Sequence, residues 1–390
     1  MDVIDQKTFL KFSAMDALYW AFYASFVGFI STYLLECGMS NSVLSIMLAC
    51  FMIASFIGAF FWGSVCDRFL TNKNVFLPEF IASIAVALFI FFIADKNIWI
   101  ATVLYPVFGF LSTPLGSNLD SWMLRSFHKD SGTYGRARSI GSMGYAVTAL
   151  FMGMLIQKFG FIMMVAGTLF FSILVILIVL TIKEAPFETV AVHADASASP
   201  KELFRPGAYL FMIIVVFFTG LAISPVNNMK IVILQSVGGD VGILGIDSFL
   251  GVMVQAVFIF LSGSLKKIPV NVRLFLTALT VLVTMVLDST AFTPWMIILG
   301  TVFSNMSYGI MLPTQREIVE ADVPANLKTT AHSLSDAAYS SFSGMLALLY
   351  SGFVMDHFGA KSVAILGCII MAIPVLLTVI KLFTAKKERI

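Results

Sequence analysis

The sequence predicts an all-α membrane protein with twelve transmembrane helices in two six-helix halves. The 390-residue chain is 59% hydrophobic and only 12% charged, with a mean hydropathy of +0.95. Apolar segments of about 20 residues, the length that crosses a bilayer, recur along the chain. A polar stretch, 184–205, separates six such segments from six more. The predicted domains are an N-terminal half, 1–183, a cytoplasmic linker, 184–205, and a C-terminal half, 206–390.

Glycine, proline and charged clusters divide the chain into the twelve predicted spans. Their approximate bounds are 10–36, 42–66, 75–95, 97–126, 138–158, 161–183, 207–236, 242–264, 271–289, 294–315, 329–351 and 361–383. The segments 153–167 and 352–367 share a pattern between the last two spans of each half. Paired halves of this kind are typical of secondary transporters.

The distribution of basic residues predicts the orientation. If the N-terminus is cytoplasmic, twenty of the 24 Lys and Arg residues fall on the cytoplasmic side. Such a bias is the usual signature of topology in the membrane. Both termini are therefore predicted to be cytoplasmic, in a multi-pass protein of the plasma membrane, specifically a bacterial inner membrane.

Composition argues against several other classes of function. The four cysteines show no paired spacing and the four histidines do not cluster with other ligand types, so no disulfide, metal or cofactor is expected. The basic residues are spread along the chain, which gives no reason to expect nucleic-acid binding. The sequence shows no nucleophile–base pair and no phosphate-binding loop, so an enzyme is not expected. The expected partners are a small solute, protons and the lipid bilayer, and the protein is expected to be a monomer.

Charged residues interrupt one apolar region, from Gly116 to Tyr145. Asp120 precedes and Arg138 follows a turn signal at 130–133, so two antiparallel helices can place them side by side. A carboxylate within a span is costly, usually paired and often functional. The pair is interpreted as a recognition site for a polar solute; the alternative is a structural ion pair.

The first predicted helix carries a polar and aromatic stripe. Asp16, Tyr19, Trp20 and Tyr23 follow helical spacing. Asp16 is a candidate proton site or solute contact, and the two tyrosines are candidate solute contacts. The alternative is an interfacial charge beside an aromatic belt.

The eleventh predicted helix carries a second stripe. His332, Asp336, Tyr339 and Ser343 share one face by their spacing. A carboxylate one turn from a histidine is a plausible proton-coupling site, and Asp336 is the preferred one, with Asp16 and Asp120 next. The alternative is a polar face that lines a cavity without titrating.

Other polar residues of the second half are candidate solute contacts. Pro225 is expected to break the seventh helix and expose polar groups to a cavity. Lys230 is expected either to pair with an anionic solute or to extend to the outer interface. The remaining candidates are Asn227, Asn228, Gln255, Asn305 and Tyr308.

Two motifs resemble the major facilitator superfamily, and in particular the proton–sugar symporters of the lactose permease type with their nucleoside and phenylpropionate relatives. GSVCDRFLTNK, from Gly63 to Lys73, is similar to the superfamily's motif between helices 2 and 3. The resemblance implies a gate role for Gly63, Asp67 and Arg68, and the chain departs from it at Leu70, where a second glycine is usual.

The second motif, YGRARSIGSMGY at 134–145, is similar to the start of the permease's helix 5. The resemblance places Arg138 at the sugar-binding arginine, Asp120 at its carboxylate partner and Tyr145 at the aromatic ring that stacks on the sugar. The second half departs from the permease's pattern. Val252, Phe303 and Met306 occupy the positions of the permease's glutamate, histidine and carboxylate. The resemblance therefore implies the fold and not lactose as the solute.

These observations together predict a secondary active transporter that moves a small polar solute, of sugar or nucleoside type, with protons by alternating access. Proton-driven efflux of sugars or drugs, and uptake of an aromatic organic acid, are the alternatives within transport. A membrane receptor that kept the fold is a further alternative, and it would need interaction segments longer than the termini and linker seen here.

Overall fold

The computed structural model describes residues 6–128, 130–184, 203–205, 207–265, 267–324 and 327–387. Across these ranges the chain is helical, with short connections. The helices are α1 (Gln6–Glu36), α2 (Asn41–Phe69), α3 (Lys73–Ala94), α4 (Ile98–Ser126), α5 (Ser131–Phe159), α6 (Ile162–Thr181), α7 (Ala208–Asn228), α8 (Lys230–Gln235), α9 (Val241–Phe260), α10 (Ser262–Leu265), α11 (Val270–Thr290), α12 (Pro294–Asp322), α13 (Lys328–Ala337), α14 (Ser343–Phe358) and α15 (Ser362–Lys387).

Twelve stretches of helix in the described residues are long and apolar enough to cross a membrane, which confirms the predicted number. The eleventh span, Thr330–Phe358, is not a continuous α-helix. A π-helical turn, Ala338–Phe342, separates α13 from α14. Such turns inside helices are often found at functional sites.

The start of α5 differs from the predicted loop at 130–133. Asp130 accepts hydrogen bonds from the Gly132 amide and from the amide and hydroxyl of Thr133, so it is the N-cap and the helix begins at Ser131. The Thr133 hydroxyl and the Gly132 amide hold the pKa of Asp130 below its usual range. Residues typical of turns are also typical of helix N-caps, which explains the difference.

The chain forms two compact units. The first comprises Met1–Val190 with Asp240–Phe249, and the second comprises Ala191–Gly239 with Leu250–Ile390. In the first unit, α1 packs against α5 and α6, while α4 packs against α2 and α3. In the second, α11 packs against α12 and α15, while α7 packs against α14 and α15.

Candidate functional site

Three charged side chains from three helices meet in the first unit. Arg138 of α5 lies between two carboxylates, with Nη1 3.7 Å from Oδ2 of Asp16 and Nε 3.5 Å from Oδ1 of Asp120. The side chain of Asp16 is 1% exposed, whereas those of Arg138 and Asp120 are 30% and 34% exposed. The cluster therefore links one buried carboxylate to a guanidinium and a carboxylate that are both partly exposed.

Two glycines of α5 allow α1 to approach closely enough to form this cluster. A side-chain carbon at Gly144 would collide with the backbone of Ala17, and one at Gly141 would collide with the carboxylate of Asp16. Close helix contacts of this kind in membranes depend on small residues. The short loop between α4 and α5 is enough to place Asp120 beside Arg138. The close packing of α1 against α5 is what brings Asp16 into the cluster.

An aromatic wall borders the charges. The Arg138 guanidinium lies 4.5 Å from the ring centroid of Trp20, a cation–π geometry. The Tyr23 and Tyr145 rings lie 5.5 and 6.5 Å from that of Trp20. Trp20 was not among the predicted solute contacts, although the sequence places it one turn from Asp16.

Tyr19 has a different environment from the other two tyrosines. Its hydroxyl donates to the carbonyl of Ser112, 2.8 Å away, and its side chain is buried. Its ring packs against Phe76 and Phe80 of α3. Tyr19 therefore lies in the core of the unit, where it joins three helices.

The polar stripe of the eleventh span is divided between two partners on α12. Nη2 of Arg316 lies 2.7 Å from Oδ2 of Asp336, one turn from His332. His332 instead contacts Glu320, with 3.3 Å between Nε2 and Oε1, and Lys328 binds the same carboxylate. Histidine and aspartate thus contact different partners and do not form one site.

Two of the four amide residues predicted as solute contacts in the second unit bond to their own helices. Asn228 donates to the Ser224 carbonyl at 2.9 Å and Asn305 to the Thr301 carbonyl at 2.9 Å. Asn227 is exposed and Gln255 is half-buried. Each side-chain amide can form more hydrogen bonds than these, because it has two N–H donors and one carbonyl acceptor.

Tyr308 of α12 packs against Tyr339 of the π-helical turn, with 5.6 Å between ring centroids. Both side chains are half-buried. This aromatic pair lies on the same two spans as Arg316 and Asp336.

Helix α7 continues through Pro225 and ends three residues later at Asn228, so its interruption lies later than expected. Lys230, at the start of α8, is 5% exposed and donates to Oγ1 of Thr301 at 2.6 Å. It therefore does not extend to the outer interface, because its ammonium group is held inside the unit.

The motif proposed as a gate lies at the end of α2. Asp67 and Arg68 are exposed there, and the space beside Gly63 is open. Leu70, which replaces the motif's usual glycine, has φ +50° and ψ +42°, a left-handed conformation that favours glycine. The departure in sequence therefore occurs at a position of backbone strain.

The last three residues of this motif are tied to the end of α6. The Glu184 carboxylate accepts hydrogen bonds from the Thr71 hydroxyl and from the amides of Asn72 and Lys73, at 2.8–2.9 Å. In return, Nζ of Lys73 donates to the carbonyl of Ile182 at 2.7 Å. The N-terminus of α3 and the C-terminus of α6 thus satisfy each other's free backbone groups.

Glu79 and Arg273, two buried ionisable residues of the spans, were not among the predicted site residues. Glu79 of α3 is 1% exposed, and its carboxylate oxygens have no hydrogen-bond partner among the described residues. Arg273 of α11 is 1% exposed, and its Nη2 donates to both carboxylate oxygens of Glu317, each 2.9 Å away. An isolated charge in an apolar segment is the signal that could have identified them.

Within the described residues, no group of three or more His, Cys, Asp and Glu side chains is arranged to hold a metal ion. The charge cluster itself offers hydrogen bonds, ion pairing and proton binding by carboxylates, beside an aromatic ring.

Comparisons with known proteins agree with this fold. The sequence profile described as "MFS_1 like family" matches residues 9–366. The maltose permease of Geobacillus stearothermophilus is 23% identical over 95% of this chain and 93% of its own length. The uncharacterized transporter YwbF of Bacillus subtilis (strain 168) is 22% identical over 88% of this chain and 85% of its own length.

Among solved structures, a mutant of the nucleoside transporter NupG superposes with a TM-score of 0.80 at 14% identity, covering 95% of this chain and 98% of that one. A D-xylose–proton symporter superposes with a TM-score of 0.68 at 15% identity, covering 96% and 97%. At this level of identity the structural matches establish a shared fold.

The fold and the profile match define the class: the protein is a multi-pass membrane transporter of the plasma membrane, and not an enzyme. The chain belongs to the MFS_1-like family. The resemblance to the major facilitator superfamily is thereby confirmed over nearly the whole chain.

Proposed function

We propose that this transporter carries a small neutral solute rich in hydroxyl groups, of sugar or nucleoside type, into the cell together with a proton. The observation that carries the proposal is the sharing of Arg138 between Asp16 and Asp120. The names of the maltose permease, the D-xylose–proton symporter and the nucleoside transporter support the same solute class.

The solute is expected to bind the exposed members of the cluster. A carboxylate accepts hydrogen bonds from hydroxyl groups, and a guanidinium donates to their oxygens in a planar fork. Asp120 and Arg138 together offer both functions, while the rings of Trp20 and Tyr145 provide a surface for the apolar face of a sugar or base. Because Arg138 already has two carboxylate neighbours, an anionic solute would have to compete with both.

The proton is expected to bind Asp16. With both carboxylates ionised, the cluster carries two negative charges against one positive, and a net charge in a poorly solvated site is costly. A proton on the buried Asp16 removes that excess and leaves Asp120 paired with Arg138. Asp336 is a weaker candidate, since it already has one guanidinium partner and its side chain is 47% exposed.

The transport cycle then follows from the charge of the cluster. A proton from outside neutralises Asp16, the solute binds Asp120 and Arg138, and the loaded protein changes conformation by alternating access. Loss of the proton inside restores the excess negative charge and weakens the arrangement that held the solute.

Uptake by the purified full-length protein in liposomes tests this proposal. Labelled maltose, D-xylose, uridine and benzoate would be offered with a proton gradient directed inward, with and without a protonophore. We expect one hydroxylated solute to accumulate, the protonophore to abolish accumulation, and Arg138→Gln to prevent it. Benzoate accumulation, or transport only under the opposite gradient, would favour the organic-acid or efflux alternatives instead.

A further inference from the structure

The ion pair between Arg316 and Asp336 occupies the same place in the second unit as Asp120 and Arg138 in the first. Helices α4 and α12 each have 29 residues, and Asp120 and Arg316 are each the 23rd. The partners are on the following span in both cases, Arg138 on α5 and Asp336 on α13. The positions correspond, but the charges are exchanged.

The π-helical turn brings Asp336 into this register. Helix α5 ends at Phe159 before Gly160, and α14 ends at Phe358 before Gly359, both glycines having positive φ. Counted back from these ends, Asp336 lies one residue further away than Arg138. A π-helical turn accommodates one residue more than an α-helical turn, because its hydrogen bonds close at i+5 instead of i+4. The turn at Ala338–Phe342 therefore offsets the additional residue.

Close packing against α7 holds this turn in place. A side-chain carbon at Gly220 would collide with the carbonyl of Tyr339 and the hydroxyl of Ser343. This contact corresponds to the approach of Gly144 to Ala17 in the first unit, but the glycine is now on the other helix.

Among the described residues of the second unit, no charged residue occupies the position that corresponds to Asp16. Asp16 precedes Ala17 at the close contact in the first unit, whereas Thr219 precedes Gly220 in the second. Thr219 is buried, and its hydroxyl donates to the Val215 carbonyl. The neighbouring acids of α12 have partners of their own, Glu317 with Arg273 and Glu320 with Lys328. The Arg316–Asp336 pair is thus balanced, one charge against one.

The pair is also accessible. The side chains of Arg316 and Asp336 are 41% and 47% exposed, more than those of Arg138 and Asp120. A buried structural ion pair such as Arg273 with Glu317 has its guanidinium almost fully enclosed, at 1% exposed. Accessibility distinguishes Arg316–Asp336 from such a structural pair.

We propose that Arg316 and Asp336 form a second hydroxyl-binding pair, supplied by the second unit, that makes the transporter select neutral polyhydroxylated solutes over organic anions. This inference rests on the proposed function, and it adds two residues of the second unit to the recognition of neutral solutes. A diol can donate to the carboxylate and accept from the guanidinium at once, whereas an anion would have to displace Asp336 from Arg316.

Binding measurements on the full-length protein in detergent test the inference. Dissociation constants for maltose, D-xylose, uridine and benzoate would be obtained by calorimetry, and the melting temperature of each variant by differential scanning fluorimetry. Arg316→Gln and Asp336→Asn should each weaken binding of the hydroxylated solute at least tenfold. Arg316→Lys, which keeps the charge but loses the planar fork, should weaken it at least fivefold and serves if either neutral variant does not fold.

The exchanged double variant Arg316→Asp/Asp336→Arg separates recognition from support of the fold. It restores an ion pair and should restore the parent melting temperature, but its donors and acceptors are reversed, so affinity should stay at least tenfold weaker. Deletion of Ser340 should remove the extra residue of the π-helical turn, rotate Asp336 away from Arg316 and weaken binding similarly. Ser340→Ala, which keeps the chain length at the same exposed position, should bind like the parent.

Two outcomes would overturn the inference. Affinities within twofold of the parent in all folded variants would show that the pair supports the structure only, and the proposed function would stand. A parent protein that binds benzoate and none of the three hydroxylated solutes would contradict the proposed function as well, so the two failures are distinguishable.

Discussion

Gly141 of α5 packs directly against the carboxylate of Asp16 on α1, and a single methyl group at this position would collide with it. Asp16, the proposed proton carrier, thus packs against a residue that has no side chain. Because Asp16 is almost fully buried, it has little room to move aside.

Gly141→Ala is therefore expected to displace Asp16 from Arg138. Overpacking of this kind costs about 1–3 kcal/mol, so the melting temperature of the purified protein should fall and solute-driven proton uptake should weaken. Gly135→Ala is the matched control on the same helix, because nothing lies within 4 Å of the added carbon. It should stabilise the protein by up to about 1 kcal/mol through helix propensity. If both variants melted like the parent, the close contact at Gly141 would be of no consequence.

Leu70→Gly is expected to stabilise the protein. A residue other than glycine in the left-handed conformation costs about 1–2 kcal/mol. Glycine avoids this cost but loses more conformational freedom on folding, so the net gain in stability should be about 0.5–1 kcal/mol. Leu10→Gly is the control, since Leu10 is similarly exposed but lies within the regular helix α1. That change should instead destabilise by about 1 kcal/mol. A lower melting temperature for Leu70→Gly would mean that the side chain matters more than the backbone strain.

Two glutamates of the spans should respond oppositely to the same substitution. Glu79→Met removes a buried carboxylate without a hydrogen-bond partner among the described residues, so stability should rise by about 1 kcal/mol or more. Glu317→Met leaves the enclosed Arg273 without its carboxylate, so stability should fall by about 3–5 kcal/mol. Thermal unfolding of both variants in the same detergent would measure this difference in stability. A loss of stability or of transport in Glu79→Met would assign that carboxyl a role that its packing does not reveal.

Glu184→Ala is expected to loosen the connection between α3 and α6. Three donors at the start of α3 lose a charged acceptor, for an expected cost of about 1–3 kcal/mol. Amide hydrogen exchange should show faster exchange at Asn72 and Lys73. Glu36→Ala, at the exposed end of α1, is the control and should leave exchange at these amides unchanged. Unchanged exchange in both variants would contradict the mutual capping of these two helices.

The pairing of Asp120 with Arg138 was predictable because both belong to consecutive helices joined by a short loop. The addition of Asp16 was not, because it depends on α1 and α5 meeting at Gly141 and Gly144. Sequence spacing identifies which residues share one helix face, but it does not determine which other helix that face meets.

The same limit explains the second stripe. His332 and Asp336 lie one turn apart on one helix, as their spacing predicts. Their partners are on α12, where His332 contacts Glu320 and Asp336 contacts Arg316. The π-helical turn that follows has no simple sequence signature, since Ala338–Phe342 contains neither glycine nor proline. Its effect on register becomes visible only when the ends of the two corresponding spans are compared.

The most direct test of the account is proton entry evoked by solute. The parent protein and its Asp16→Asn and Asp336→Asn variants would be placed in liposomes containing a pH-sensitive dye, and the hydroxylated solute found to bind would be added outside. We predict acidification with the parent and with Asp336→Asn at saturating solute, and none with Asp16→Asn even though it still binds the solute. Acidification that persists in Asp16→Asn would contradict the claim that Asp16 carries the proton.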